Sequence, residues 1–145
     1  MKVILVATDG SASAERAVEF AAGMAASFDA TLHIVNVLGE FGRASGALEC
    51  RASGATARSF DARMSAGSEI VRAAKARAEA LSAPRIETET CTGPVVQSIL
   101  EIAREEGADA IVVGKRGRGR ISGLILGSVS QKIVCEAFCP VVVVP

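Results

Sequence analysis

Strand-like apolar runs and helix-like apolar stripes take turns along the chain. The continuous apolar run Val3–Ala7 predicts a central strand buried on both faces, and Val141–Val144 predicts the last strand. Thr31–Val37, Arg85–Cys91 and Asp109–Val113 predict three more strands. Of these, Arg85–Cys91 alternates in polarity and should have one wetter face.

Apolar residues recur every three or four positions in the segments between these strands, which predicts four helices. Ser11 or Ser13 can cap the first helix, and the segment Met64–Leu81 has the strongest amphipathic pattern in the chain. Pro94 stands in the first turn of the third helix, and a fourth covers about residues 127–137. The predicted inward positions are Ala14, Val18, Ala21, Ala25 and Phe28 in the first helix and Val96, Ile99, Leu100 and Ala103 in the third.

This alternation predicts the α/β class: a single domain over residues 1–145 with a doubly wound, five-stranded, mostly parallel sheet and helices on both faces. Residues 39–61 are rich in Gly, Ser, Ala and Arg without periodicity, which predicts a long inserted loop. Ligands of such sheets bind beyond the carboxyl ends of the strands, at the switch point. The candidate binding segments are therefore 7–11, 37–39 and the chain from Gly114 onward.

The composition of the 145 residues excludes several classes of protein. Sixteen Lys and Arg balance sixteen Asp and Glu, 50% of the residues are apolar and the mean hydropathy is +0.37, which excludes a disordered polyelectrolyte. Zero net charge, no Trp or Tyr and only five Phe argue against a nucleic-acid binder. No apolar run approaches the roughly 18 residues of a membrane helix, and no secretory signal is apparent. We therefore expect a cytoplasmic protein.

The four cysteines and the one histidine are not spaced as a metal site. No CxxC motif occurs, and His33 is far in sequence from Cys135 and Cys139. We expect small buried thiols in a reducing compartment, and a histidine in the core or under a helix without a functional role. The segment Glu105–Gly107 should end the third helix as a solvated tip, with Gly107 as a left-handed stop.

The glycine-rich stretch after the fourth predicted strand has the features of a phosphate cradle. Gly114 follows that strand, Gly117 and Gly119 come next, and Gly127-Ser128 opens a helix. Glycines let backbone N–H groups approach an anion, and a helix start adds unpaired N–H groups. The stretch also carries four cations, Lys115, Arg116, Arg118 and Arg120, and the hydroxyls of Ser128 and Ser130. An anion site is predicted, although neither a Walker A loop nor a G-x-G-x-x-G fingerprint is present.

The spacing of these glycines resembles a family pattern. Gly114, Gly117, Gly127 and Ser128 fit the G-2x-G-9x-G-[S/T] motif of the ATP-binding subgroup of the universal stress protein family. Residues 3–11, 93–94, 107–114 and 139–144 are also similar to family segments. The resemblance covers the chain except residues 39–61, and it implies an adenine nucleotide alpha hydrolase-like, Rossmann-like fold.

The resemblance also implies the nucleotide-binding residues. Asp9, beside Ala7 and Thr8, matches the family's acidic residue near the ribose and adenine, and Val37 matches a residue whose backbone reads the adenine edge. Val113 and Gly114 would line the ribose side. The residues implied for the phosphates are Arg116, Gly117, Gly127, Ser128, Val129 and Ser130. The implied cofactor is ATP, which Mg²⁺ or Mn²⁺ can accompany.

Some of these positions have open alternatives. An Asp after a strand can instead form an Asx turn, which is the structural explanation of Asp9. Arg116 stands where relatives often carry His or another polar residue, and a cation favours phosphate. Residues 39–61 either fold over the nucleotide as a lid, with Arg43, Arg51 or Arg58 reaching phosphates, or are disordered or solvated. A methyl group at Gly127 is expected to enter the phosphate site.

Three functions remain open at this stage. The first is an ATP-binding stress or signalling module that forms a homodimer through Val141–Val144 and acts on an unknown protein partner. The second is a slow ATPase or nucleotide-processing enzyme, although no His or Cys stands near Ser128 to activate it as a nucleophile. The third is a nucleotide-free dimeric interaction protein. No catalytic residue and no metal ligand is predicted.

Overall fold

The computed structural model describes residues 1–39, 55–117 and 126–145, with the backbone alone for residues 55–58. In chain order the elements are β1 (Val3–Ala7), α1 (Ala12–Phe28), β2 (Thr31–Leu38), α2 (Ala55–Ala80), β3 (Arg85–Thr92), α3 (Val95–Glu105), β4 (Ala110–Gly114), α4 (Ser128–Glu136) and β5 (Val141–Val144). Each predicted strand and helix is present. Apart from the start of α2, the predicted ends are close to the observed ones.

The sheet has five strands in the order β3-β2-β1-β4-β5, and every neighbouring pair is parallel. The predicted doubly wound α/β sheet is therefore confirmed. The chain adds β2 and β3 on one side of β1 and then returns to add β4 and β5 on the other side. Since the order reverses between β1 and β4, a crevice forms between the loops at their carboxyl ends.

Alternate residues of β1 face two separate helical layers. Ile4 and Val6 pack with α1 and α2, whereas Leu5 packs with α3 and α4. All three side chains are fully buried, as a sheet covered on both faces requires. Burial of each such side chain stabilises the fold by about 1.5–3 kcal/mol. The turn that follows β1 is thus anchored by a well-packed strand.

Helix α2 begins well before the predicted amphipathic segment. The expected loop over residues 39–61 is wrong for residues 55–61, which are helical. Ala and Arg in this stretch favour a helix, but Phe60 and Asp61 are exposed, so apolar periodicity gives no signal there. Residues 40–54, including Arg43 and Arg51, and the side chain of Arg58 lie outside the described residues. Neither α2 nor any other described helix is both long and apolar enough to span a membrane.

Two residues predicted to face inward are exposed because they lie at helix ends. Phe28, the last residue of α1, is 54% exposed, and Leu81, just after α2, is 44% exposed. The other positions of the α1 stripe, from Ala14 to Ala25, are buried. The apolar periodicity therefore continues past the point where each helix leaves the sheet.

The thiols are less buried than predicted. Cys91 and Cys139 are half-buried, Cys135 is exposed, and all three are free. Burial raises the pKa of the Cys91 and Cys139 thiols above its ordinary value. A raised pKa lowers the thiolate fraction and with it the reactivity of these two side chains. Cys50 lies outside the described residues.

Candidate functional site

The turn after β1 places Asp9 at the carboxyl edge of the sheet. The buried Thr8 anchors it: its N–H donates to the Val35 carbonyl at 2.9 Å, and its carbonyl accepts from Asn36 Nδ2 at 2.7 Å. Asp9 Oδ1 accepts the N–H of Ser11 at 2.9 Å, which is the Asx turn considered as the structural alternative. One carboxylate oxygen therefore has a local structural role.

The start of α1 is joined to the ends of β4 and β5 by serine hydroxyls. Ser11 is the N-cap, and its Oγ accepts the Ala14 N–H at 3.3 Å. Ser13 does not cap the helix. Its Oγ accepts the Arg116 N–H at 3.4 Å and donates to the Val144 carbonyl at 3.2 Å. The loop after β4 is thereby held against the first turn of α1.

Two glycines of the predicted motif make approaches that a side chain would prevent. A Cβ on Gly114 would lie 2.8 Å from the backbone atoms Ala14 N and Ser13 C. A Cβ on Gly117 would lie 2.5 Å from Asp9 Oδ2. Both distances are shorter than packed carbon atoms allow. Gly114 therefore permits α1 to pack on the end of β4, and Gly117 permits the loop to reach the Asp turn.

The start of α4 is fixed to the same loop. Gly127 N–H donates to the Lys115 carbonyl at 2.8 Å. Ser130 Oγ lies 3.1 Å from that carbonyl oxygen and 2.9 Å from the Gly127 carbonyl oxygen. Gly127 is the N-cap of α4 and has no side chain to cap the first-turn N–H groups. The helix start therefore presents backbone donors and a partial positive charge at the loop.

Two details of this helix start concern the residues implied for the phosphates. The Ser130 side chain is buried, and its hydroxyl bonds backbone carbonyls, so its role in the fold is positional. Gly127 has φ −70°, which any residue adopts. A Cβ there would meet Arg116 Cα and the Lys115 carbonyl oxygen at 3.4 Å, which is an ordinary contact with the loop backbone. The protein itself therefore has room for a methyl group at Gly127, and because Gly127 lines the cavity described below, entry of that methyl group into the phosphate site stays a prediction.

A cavity of about 250 Å³ lies at the carboxyl ends of β1, β2 and β4. All the residues that the resemblance implies as nucleotide-binding line it: Ala7, Thr8, Asp9, Val37, Val113, Gly114, Arg116, Gly117, Gly127, Ser128, Val129 and Ser130. Sequence reasoning missed the further lining residues Ala14, Val35, Val95, Ile99 and Leu126. Val35 could have been found because it shares a sheet face with Val37. Val95 and Ile99 are four residues apart and therefore lie on one face of α3.

The cavity has an apolar side and a polar side. Val35 and Val37 of β2 face Val95 and Ile99 of α3 across the apolar side. The polar side is formed by the Asp turn, the Gly117 loop and the start of α4. Asp9 and Arg116 are its charged residues in the described part of the lining. Arg118 and Arg120, which belong to the predicted cation cluster, lie outside the described residues. Such a cavity can take a flat apolar group on one side and an anion on the other.

Comparison with known sequences identifies the family. The family model described as universal stress protein family matches residues 1–145. Universal stress protein Rv1636 of Mycobacterium tuberculosis is 34% identical over 146 residues, which cover 99% of this chain and 95% of that protein. A universal stress protein of Thermus aquaticus is 46% identical over 78 residues, and this match spans 57% of that relative's length and 52% of this chain.

Solved structures show the same fold. Universal stress protein UspA from Lactobacillus plantarum matches with a TM-score of 0.86 and 26% identity, covering 99% of this chain and 97% of that one. A universal stress protein in complex with cAMP matches with a TM-score of 0.71 and 30% identity, covering 99% of this chain and 96% of that one.

A doubly wound parallel sheet with a loop-lined cavity at its switch point defines a Rossmann-like α/β protein. Because the family model matches all 145 residues, the chain belongs to the universal stress protein family. The predicted membership of this family is therefore confirmed, and the assignment to its ATP-binding subgroup stays a prediction.

Proposed function

We propose that this chain binds ATP in the cavity at the carboxyl ends of β1, β2 and β4, and that it acts in the cytoplasm as a nucleotide-responsive stress or signalling protein. One observation carries the proposal. The Asp turn after β1 and the glycine motif after β4 come from opposite ends of the chain and line one cavity. A convergence of this kind supports a ligand role for both segments.

The apolar side of the cavity fits an adenine ring. A flat aromatic base buries apolar area against branched side chains such as Val37 and Ile99. In this proposal the backbone of Val37, near the end of β2, recognises the edge of the base. The Asp9 carboxylate accepts a hydrogen bond from a ribose hydroxyl while keeping its bond to Ser11.

The polar side of the cavity fits a chain of phosphates. The first-turn N–H groups of Ser128 and Val129 have no side-chain cap, and the helix start favours an anion. Gly117 keeps side-chain atoms away from this region, and the Arg116 guanidinium adds the cationic donor. A divalent cation bound with the nucleotide would offset the remaining phosphate charge.

A relative supports an adenine nucleotide as the ligand class. The solved structure in complex with cAMP is 30% identical to this chain and has the same fold. cAMP and ATP share the adenosine part, which in our proposal occupies the apolar side. They differ in their phosphates, which makes cAMP an informative comparison ligand.

Titration calorimetry on nucleotide-stripped protein tests the proposal. ATP with Mg²⁺, AMP, cAMP and adenosine are titrated in turn. We expect ATP to bind more tightly than AMP, because its additional phosphates can use the start of α4 and Arg116. Equal affinity for ATP and AMP would contradict the phosphate assignment. No heat and no thermal shift with any of the four ligands would contradict adenine-nucleotide binding itself.

The site supports binding rather than catalysis. The described lining residues include no His and no Cys, the side chains that most often activate or replace a serine nucleophile. Phosphate release from ATP, compared between the parent chain and Asp9→Asn, tests this statement. We expect both to stay at background, and a turnover that depends on Asp9 would show an enzyme instead.

We also propose that the protein forms a homodimer through β5. This outer strand of the described sheet is apolar and half-buried along its whole length, and such an edge is normally paired or covered. The carbonyls of Pro140 and Val144 accept the N–H groups of Ile111 and Lys115. With the period of two in a strand, the N–H of Val143 therefore faces away from β4.

A proline at that position tests the dimer. Val143→Pro removes an outward donor and leaves the bonds to β4 in place, whereas Val143→Ala keeps the donor and serves as the control. We expect the alanine variant to be dimeric and the proline variant monomeric by light scattering, both with the parent circular dichroism spectrum. A dimeric proline variant would place the interface elsewhere.

A further inference from the structure

Ionisable side chains gather around His33 on the sheet face that α3 covers. His33 of β2 is the register partner of Glu87 in β3, and Glu106 is the C-cap of α3. One nitrogen or carboxylate oxygen from each of these three residues lies within 4.8 Å of the others. The three residues come from three different elements, and none of them lines the nucleotide cavity.

The imidazole of His33 has a buried nitrogen that the fold does not use. The residue is 5% exposed, and Nδ1 has no hydrogen-bond partner among the described residues. Glu106 Oε2 lies 3.8 Å from Nδ1, beyond hydrogen-bond distance. Because buried polar atoms normally have hydrogen-bond partners, the unpartnered Nδ1 indicates a ligand that binds at this position. The sequence-based expectation of a solvated Glu105–Gly107 tip is also incomplete, since Glu106 points to the histidine.

A second carboxylate lies near the other ring nitrogen, just beyond hydrogen-bond distance. Glu89 Oε2 lies 3.6 Å from Nε2. Glu89 is two residues beyond Glu87 and therefore shares its face of β3. A carboxylate on one side of an imidazole keeps the proton there and leaves the opposite lone pair for a metal ion. With a metal ion on Nδ1, a small movement of Glu89 would bring it within hydrogen-bond distance of Nε2, so we assign Glu89 as a positioning residue for His33 rather than as a ligand.

We propose that His33 Nδ1, Glu87 and Glu106 bind a divalent transition-metal cation, with Zn²⁺ as the ion that fits best. One imidazole and two carboxylates suit Zn²⁺, whereas Mg²⁺ and Ca²⁺ prefer oxygen ligands alone. Zinc ligands about 2.0–2.2 Å from the ion lie roughly 3.4 Å apart in a tetrahedral site. The 3.8 Å between Nδ1 and Glu106 Oε2 is close to that value.

The electrostatics of the cluster favour a cation. Glu87, Glu89 and Glu106 bring three carboxylates to one histidine, and Glu106 also lies at the negative end of the α3 dipole. Both proposed carboxylate ligands are exposed, so an ion can enter from solvent and water can complete its coordination. The bound ion joins the edge strand β3 to β2 and to the end of α3.

The single histidine makes the test direct, because an untagged chain has one imidazole. Chelator-treated protein in a non-thiol reductant is titrated with ZnCl₂ by calorimetry, and the two ring nitrogens of His33 are followed by long-range ¹H–¹⁵N NMR. We expect one Zn²⁺ per chain and a shift of Nδ1 on binding. Glu106→Gln and Glu87→Gln should each weaken zinc binding by at least about tenfold. Loss of a residue that only supports a metal ligand already costs about that much, and loss of a ligand should cost no less.

Glu105→Gln is the matched control, because it removes the same charge from the neighbouring position and should leave zinc affinity unchanged. Glu89→Gln should weaken binding about tenfold while one Zn²⁺ per chain still shifts Nδ1, as expected of a positioning residue. Zinc binding that leaves both ring nitrogens unshifted would overturn the proposal and indicate the thiols. The proposal would also be overturned if Glu106→Gln and Glu87→Gln bound zinc as tightly as the parent chain, or if the parent chain bound no zinc.

Discussion

A Cβ on Gly117 would lie 2.5 Å from Asp9 Oδ2, so the loop after β4 and the turn after β1 touch at a point where only hydrogen fits. Gly117 is the second glycine of the family motif, and Asp9 is the acidic residue of the Asp turn. Their contact explains why the two patterns occur in one chain. The glycine provides the space that the carboxylate occupies at the edge of the cavity.

Replacing Gly117 by Ala should weaken ATP binding while the fold is retained. The methyl group must displace the Asp9 carboxylate, and losing the hydrogen bond that the carboxylate accepts from the ligand costs about 1–1.5 kcal/mol, or roughly tenfold in affinity. Gly23→Ala is the control, since nothing lies within 4 Å of its Cβ and Gly23 does not line the cavity. Calorimetry should show a larger loss for Gly117→Ala. Equal losses would mean that the Asp9 contact is unimportant for binding.

Arg116→Gln should discriminate between the ends of the nucleotide. A charge-assisted hydrogen bond to phosphate is worth about 1.5–3 kcal/mol, so ATP affinity should fall at least about tenfold. Adenosine, which lacks phosphate, should bind as it does to the parent chain. Lys132→Gln removes a cation from the exposed side of α4, outside the cavity lining, and should change neither ligand. If Arg116→Gln weakened the binding of ATP and adenosine equally, Arg116 would not be a phosphate-binding residue.

The fold was largely predictable from the sequence because each strand is a short apolar run and each helix has a periodic stripe. The start of α2 was not, since Phe60 and Asp61 are exposed and give no periodic signal. The polar residues of the cavity were predictable because the glycine motif and the Asp turn follow strands. Ile99 was assigned to the core and Val95 was given no role, because an apolar residue that lines a cavity has the same pattern as one that fills a core.

The histidine cluster shows a second limit of sequence reasoning. His33 and Glu106 are far apart in the sequence, and no spacing rule joins a residue in β2 to the cap of α3. Their proximity depends on how α3 lies on the sheet. Pairing of His33 with Glu87 across parallel strands likewise depends on strand order and register, which apolar patterns alone do not fix.

Gly114→Ala should destabilise the protein by about 1–3 kcal/mol, as overpacked sites do. The added Cβ would lie 2.8 Å from the backbone of Ser13 and Ala14, which cannot move without shifting α1. Gly23→Ala is the matched control within α1, because nothing lies within 4 Å of its Cβ. In an exposed helical position that change should stabilise by about 0.5–1 kcal/mol. Urea unfolding of both variants measures the difference, and similar stabilities would contradict the close packing.

Asp109 should make the fold acid-sensitive where β4 begins. Its Oδ2 accepts the N–H of Lys2 and, at 3.0 Å, that of Val3. These two bonds, the one from Lys2 first, lower the pKa of the carboxyl below its ordinary value of 3.8. A lowered folded-state pKa means that the charged form stabilises the fold fully above pH 3.8, and that this contribution is lost as the pH falls through the folded value. The excess stability of the parent over Asp109→Asn should therefore shrink in acid.

Substitutions at Lys2 separate the backbone bond from the side-chain charge. Lys2→Pro removes the backbone N–H that donates to Asp109 Oδ2. Lys2→Ala keeps this N–H and removes only the side-chain ammonium group. Because the backbone bond is the largest cause and the Lys2 charge the smallest, the proline variant should raise the Asp109 pKa more than the alanine variant does. An NMR titration of the Asp109 carboxyl carbon measures both values. A larger rise in Lys2→Ala would show that the Lys2 ammonium, and not the backbone N–H, keeps this carboxylate charged.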